Sequence, residues 1–439
     1  MLSQQGKEQF LSAYKRHLQD RRDRGPSWLK ELRESAIASF GELGFPTTRD
    51  EDWKYTSVEP VTSLAFEPAN GNAKAVAAHD IFSVSFMDSA YNRLVFVNGL
   101  YSPQLSSLRG LPSSSRVESL ADGLKRDDGV LQSHLSRYAC YRKRSFVALN
   151  TAFAEDGAVV LIPKGHILEE PIYLLFVSIG RERPIVSYPR NLIIAEERSQ
   201  SRVVEIHVGL GHGAYFADAV TEILAADGAT LDHYRLQREG ESGYHVGTLE
   251  AQVGRNGSLS AHSITLGGSW VRNDVHVALN GEGSQCVLNG LYLADGKQHV
   301  DNHTEIEHVK PRATSVELYK GILSGAAHGV FNGKILVHKD AQKTDARQTN
   351  KNLLLSENVV IHTKPQLEIY ADDVKCSHGS TIGQLDRDAL FYLRSRGIDL
   401  ENAQSLLSYA FASDIVSRVK VGPLRARLDD YVLAKFKND

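Results

Sequence analysis

Cys376 and His378 stand two residues apart in the stretch PQLEIYADDVKCSHGSTIG, from Pro365 to Gly383. A thiol with an imidazole is a donor pair that soft and borderline metal ions take. On an extended chain, residues two apart share a face with Cβ atoms about 7 Å apart, so the sulfur and a ring nitrogen can lean towards one ion. Two donors do not close a site, since bound metals usually take three or four and need outer hydrogen bonds to orient the imidazole. Further ligands have to come from elsewhere, and without them a Cys in a strand is a small apolar residue.

The chain has 17 His, and the run from His207 to His378 holds most of them. Their spacing argues against one shared metal. His299 and His303 would be about 13 Å apart on a strand, and His308 falls on the opposite face. These histidines read as solvated strand positions, or as an interface titrating near pH 6. No G-x-x-x-x-G-K, G-x-G-x-x-G, G-x-S-x-G or H-E-x-x-H occurs, so nucleotide chemistry would belong to another chain.

The positioning elements follow from periodicity. Residues 1 to about 60 read as helix: Leu11, Tyr14 and Leu18, then Leu29, Leu32, Ile37 and Phe40, recur at steps of three and four until Gly41 and Gly44. The loop GFPTTRDEDWKYTSVEP carries an exposed-looking Trp53-Lys54-Tyr55 step, or these rings anchor it on the next layer. The N-terminal region, 1–150, reads as mostly helical. From 151 to 383 the period is two, as in Val271, Asn273, Val275, Val277 and Leu279, with turn signals at Asp227-Gly228, Asn256-Gly257 and Asn280-Gly281. Gaps of this size fit two or three short strands per coil of a parallel β-helix. No long helical pattern interrupts them, which excludes a βαβ sheet, and a β-sandwich is the alternative. In 384–439 the helical period returns. Asp386 and Asp399 are placed to cap helices carrying Leu390, Phe391 and Leu393, then Ala403, Leu406, Leu407, Ala410 and Phe411; a last helix carries Leu424, Leu428, Tyr431 and Phe436. This tail is expected to be separable from the β-helix.

Composition narrows the classes. With 439 residues, 42% apolar and 23% charged, the chain is a soluble globular protein by composition, and no apolar run approaches the roughly 20 residues of a membrane span. The N-terminus resembles neither a secretory signal nor a transit peptide. Three widely spaced Cys, odd in number, argue for free thiols in a reducing compartment, and the reading is cytoplasmic. A net charge of -3 offers no footprint for nucleic acid, and the basic group Arg137, Arg142, Lys143 and Arg144 reads as a solvated face. Two functions remain: a β-helix enzyme or binding protein acting on an acidic polysaccharide, or an assembly subunit whose edge and tail bind other chains. The second uses the Cys376/His378 pair and needs no secretion signal.

Four segments carry a resemblance. PTTRDEDWKYT (Pro46–Thr56), GVFNGKILVHKDAQKTDARQTNKNLLLSE (Gly329–Glu357), PQLEIYADDVKCSHGSTIG and LFYLRSRGI (Leu390–Ile398) resemble the SufB/SufD family of the SUF iron-sulfur cluster assembly system. The resemblance implies a right-handed parallel β-helix with helical N- and C-terminal regions, and a non-catalytic subunit that assembles with SufB and with the ABC-type ATPase SufC. It implies that His378 lies at the SufB contact as a candidate ligand for iron or a nascent cluster, with Cys376 beside it, and that the helices from about Gln384 dock SufC. Any iron or cluster is expected to be transient rather than stably bound. SufB carries a functional Cys where Leu393 stands here, which places the chain nearer the SufD branch. Whether two copies pair when the partners are missing stays open.

Overall fold

The alternation from residue 150 onward becomes strands that climb in coils. A computed structural model describes residues 2–20, 25–69, 77–87, 91–126 and 128–437. Strands fall alternately into two sheets, so that Gln200–Leu210, Thr230–Arg238, Ser258–Thr265, Gln285–Ala294, Thr314–Leu323, Asp345–Leu354 and Lys375–Gly383 stack in one. The other holds Tyr215–Ala225, Gly243–Val253, Trp270–Leu279, His299–His308, His328–Val337 and Val360–Ile369. These neighbours pair in parallel, as in Gln285↔Thr314↔Asp345↔Lys375. The result is a parallel β-solenoid of about 8 turns, with roughly 30 residues per coil. Parallel pairing excludes the sandwich alternative, whose NG and DG turns would join antiparallel hairpins.

One repeated corner sets the coil. Before each of the first six of these strands a residue adopts the left-handed conformation: Arg198, Gly228, Asn256, Gly283, Arg312 and Lys343, with φ between 52° and 70°. Its N–H donates to a carbonyl of the next coil, as from Gly228 to Arg255 (2.8 Å) and from Lys343 to Asp373 (2.7 Å). Corner amides buried by stacking are thereby satisfied from coil to coil.

Each sheet buries both of its faces, with an apolar cluster on each. Inside the coil, Val203, Leu231, Leu259 and Leu288 meet Ile193, Ile223, Leu249 and Val277; a fully buried side chain of this size contributes about 1.5–3 kcal/mol. Outside, the N-terminal region covers one sheet by packing Phe10, Phe40, Phe146 and Phe153 near Phe216, Val246 and Trp270. The tail helices Leu400–Val416 and Gly422–Phe436 cover the other, setting Ala412, Ile415, Val416, Leu424 and Leu428 against Ile206, Val208, Leu236, Ile264 and Leu291. The tail is therefore part of the core, which corrects the expectation that it is separable. Histidines expected at solvated strand positions are also affected: His207, His233, His245, His262 and His308 are all buried, because both faces of their strands are covered.

The segment before residue 150 includes helices Leu2–Asp20, Ser27–Leu43 and Ser145–Phe153. It also supplies strand Arg93–Val97, parallel to Ile172–Ile179, and strand Arg116–Ser119, antiparallel to Ala158–Ile162. The loop at 46–56 lies on the outer face of the solenoid. Trp53 stacks on Phe146 (ring centroids 5.4 Å apart), the Arg272 guanidinium sits 4.3 Å from its ring, and Tyr55 stacks on His362 at 4.0 Å. The rings are anchors, as the second reading of this loop had it.

Candidate functional site

Stacking ends at Val360–Ile369 and Lys375–Gly383, each of which has one paired neighbour. Their outer edges carry unpaired backbone groups, which makes this coil a template for another strand. Val360, Ile369, Tyr370 and Ile382 are exposed apolar residues of the same coil.

Cys376 and His378 sit on this last strand, in register with Ala346 and Gln348. The two side chains share one face of the strand, the inward face of the coil below, since Ala346 and Gln348 are buried there. The expected pairing of thiol and imidazole is thus present in the backbone register. Their surroundings differ. Cys376 is half-buried against Ala346, Ile335, Val337 and Leu367. Burial, with the neighbouring Asp345 charge, pushes its thiol above the usual cysteine value, so the proton stays on at neutral pH. His378 is exposed at the mouth of the coil.

Register also brings together residues that spacing along the chain did not reveal. Glu317, Gln348 and His378 form one inward column across three successive strands. The Gln348 side chain donates from Nε2 to Glu317 Oε2 at 2.8 Å. Burial pushes the Glu317 carboxyl up to about 7, against smaller opposing effects of the Gln348 hydrogen bond and the nearby Thr304 hydroxyl. Next to this column, Thr363 Oγ1 bonds Asn350 Oδ1 (2.9 Å) and Ser380 Oγ (2.8 Å). The open coil therefore presents one exposed imidazole, one shielded thiol and a polar floor containing a carboxyl that titrates near neutrality. The coil below places Ala346 and Gln348 under Cys376 and His378, and neither adds a thiol, an imidazole or a carboxylate to the pair.

His299 and His303 point outward and His308 inward, on separate faces as their spacing implied. His299 instead contacts His328 (Nδ1–Nδ1 2.8 Å) and Thr56 (3.0 Å). Of the basic group, Arg137, Arg142 and Lys143 are exposed, and Arg144 pairs with Glu250.

In the tail, Asp386 accepts from the Asp388 and Ala389 amides and Asp399 accepts from the Asn402 amide. The helix Arg387–Ser395 buries no residue, and Phe391 and Tyr392 are 75% and 56% exposed. Leu406 and Ala410 face outward; the buried stripe of the next helix is Ala403, Ser408, Ala412, Ile415 and Val416. No helix among the described residues is long and apolar enough to cross a membrane.

Comparison with known proteins fits this architecture. The family description "SUF system FeS cluster assembly, SufBD core domain" matches residues 177–411, and "SufBD protein N-terminal region" matches residues 4–174. An iron-sulfur cluster assembly SufBD family protein of Synechocystis sp. is 34% identical over 92% of this chain and 90% of its own. The iron-sulfur cluster assembly protein SufD of Escherichia coli is 33% identical over 86% of each chain, and SufD of Bacillus subtilis is 25% identical over 94% of this chain and 95% of its own. These relatives are named for cluster assembly and not for action on a polysaccharide. The chain belongs to the SufBD family of SUF-system iron-sulfur cluster assembly proteins.

Proposed function

We propose that this chain is a non-catalytic subunit of a cytoplasmic cluster-assembly complex, and that its open last coil pairs with the β-helix of a SufB-type subunit. The observation that carries this reading is the last coil itself: two unpaired strand edges, four exposed apolar side chains, and Cys376 with His378 between them. Exposed apolar patches beside free edges are where another chain adds. At that junction His378 acts as a ligand for iron or a nascent cluster, with the remaining donors coming from the partner. The metal is cargo in this reading and does not reside on this chain. Cys376 is the second candidate donor; its raised pKa makes it a ligand only when an ion displaces the proton. Three unpaired cysteines suit a reducing compartment.

A SufC-type ATPase is proposed to dock on the tail, where Arg387–Ser395 holds Phe391 and Tyr392 out to solvent. ATP hydrolysis belongs to that partner.

The pairing is tested with Ile369→Lys and Ile382→Lys. Each places a charge on the exposed face of the last coil, so each is expected to leave the unfolding midpoint of the isolated chain unchanged and to abolish co-elution with SufB in size-exclusion chromatography. Undiminished co-elution of both variants would remove the last coil as the contact.

A further inference from the structure

Far below the open mouth, three ionisable side chains converge inside the solenoid. His207 lies on strand Gln200–Leu210, Glu239 directly follows strand Thr230–Arg238, and His245 lies on strand Gly243–Val253 of the opposite sheet. One nitrogen from each imidazole and one carboxylate oxygen lie within 4.8 Å of one another, and all three residues are buried. Ligand atoms about 2.1 Å from a common ion sit roughly 3–4 Å apart, so closing this triad needs shifts below about 1 Å per atom.

The surroundings are those of oriented ligands. Glu205 Oε1 meets His207 Nε2 at 2.8 Å, which fixes that ring, and Phe176 stacks on it at 4.9 Å. Tyr215 Oη donates to Glu239 Oε2 (2.8 Å) while accepting from the Gly240 amide (2.7 Å). Carboxylates on imidazoles and hydrogen bonds on ligating carboxylates are the usual outer arrangement of a metal site. None of these four groups has a role at the last coil.

Two features call for a ligand. The Glu239 carboxylate is buried with no ion-paired Lys or Arg among the described residues; its partners are His245, at 2.8 Å, and Tyr215. The nearby Arg235 is matched by Glu205, at 3.3 Å. A buried charge without a counter-charge is costly, and a bound cation supplies one. Second, His245 commits Nδ1 to Glu239, and its buried Nε2 has no hydrogen-bond partner. Space beside Nε2 is kept by Gly247: a Cβ there would lie 2.9 Å from His245 Nε2 and 3.1 Å from Asn273 Oδ1.

We propose that His207, Glu239 and His245 bind one divalent first-row transition ion, such as zinc, cobalt or ferrous iron, as an internal tie between the two sheets. Two imidazoles and one carboxylate select this class over magnesium or calcium. The site is separate from the interface proposed for His378 and stands without it. Because it is enclosed, the ion enters while the chain folds and then resists removal.

The test uses the full-length chain expressed in metal-limited medium supplemented with Co²⁺, then washed with a chelator that strips ions from exposed histidines. The wild type is expected to retain about one Co²⁺ per chain, with visible absorption from nitrogen and oxygen ligation. His245→Gln and Glu239→Gln are each expected to lose it, whereas His378→Ala retains it. If the two cluster variants do not fold, the wild type alone decides: the cobalt-loaded form must unfold at a higher temperature than protein expressed without the ion. The proposal is overturned by a washed wild type without cobalt, by retention in both cluster variants, by loss in His378→Ala, or by identical unfolding with and without the ion.

Discussion

His378 and Cys376 share a strand face but not an environment, and this separates the outcomes of changing them. His378 is exposed and leaves no cavity when truncated, so His378→Ala should not shift the unfolding midpoint. Cys376 fills space against Ala346 and Leu367, so Cys376→Ala should cost about 1 kcal/mol, as for other small partial truncations, read by denaturant unfolding. Thiol chemistry gives an independent check. Exposed Cys140 should alkylate first at pH 7, half-buried Cys376 more slowly, and buried Cys286 only on unfolding, in peptide-resolved mass spectrometry. Equal rates at Cys140 and Cys376 would show that the thiol is not shielded. Glu317 makes a pH prediction. Its folded pKa is raised to about 7, so between the unfolded value and 7 the folded state holds the extra proton. Stability from this group is full below about 4.5 and lost as pH rises through 7, up to about 3 kcal/mol. Glu317→Gln should therefore gain stability relative to the wild type at pH 8 but not at pH 4.5. The Cys376/His378 pair was legible in the sequence because a two-residue step needs only an extended backbone. Glu317 was not: it and Gln348 lie 31 residues apart, and only the coil length makes them neighbours.

At the scale of elements, the tail divides into two parts with different roles. The helices Leu400–Val416 and Gly422–Phe436 cover Ile206, Leu236, Ile264 and Leu291, so removing residues 384–439 should give an aggregating protein and not a trimmed β-helix. By contrast, Phe391→Ala with Tyr392→Ala alters only exposed side chains and should stay within about 0.5 kcal/mol of the wild type. That double variant should nonetheless weaken binding of the ATPase, measured by calorimetry; unchanged affinity would move the docking site elsewhere. Helix starts were legible because Asp386 and Asp399 have the side-chain chemistry of caps. In Leu400–Val416 periodicity marks Ala403 and Phe411, which meet the core, but also Leu406 and Ala410, which face outward, since apolar residues run nearly all round that helix and Leu406 looks as suited to a core as Ala412. Its orientation is decided by the sheet it meets.

For the whole molecule, the β-helix itself could be inferred from sustained alternation and widely spaced turns, whereas the covering of both outer faces could not. Period two describes a single strand; it does not show which layer packs on it. At the start of the solenoid the strands Arg93–Val97 and Arg116–Ser119 pair on the first coil, whereas the last coil, Val360–Ile369 and Lys375–Gly383, has no strand beyond it among the described residues. The central claim is that this end is a junction where His378 serves iron or a cluster, and the most direct measurement is reconstitution with purified SufB and SufC. Wild-type and His378→Ala chains would be assembled, checked for an intact complex by size-exclusion chromatography, and supplied with iron and sulfide while bound iron and cluster absorbance are recorded. The account predicts an intact complex with cluster formation lost in His378→Ala. Normal iron binding and cluster absorbance in that complex would contradict it.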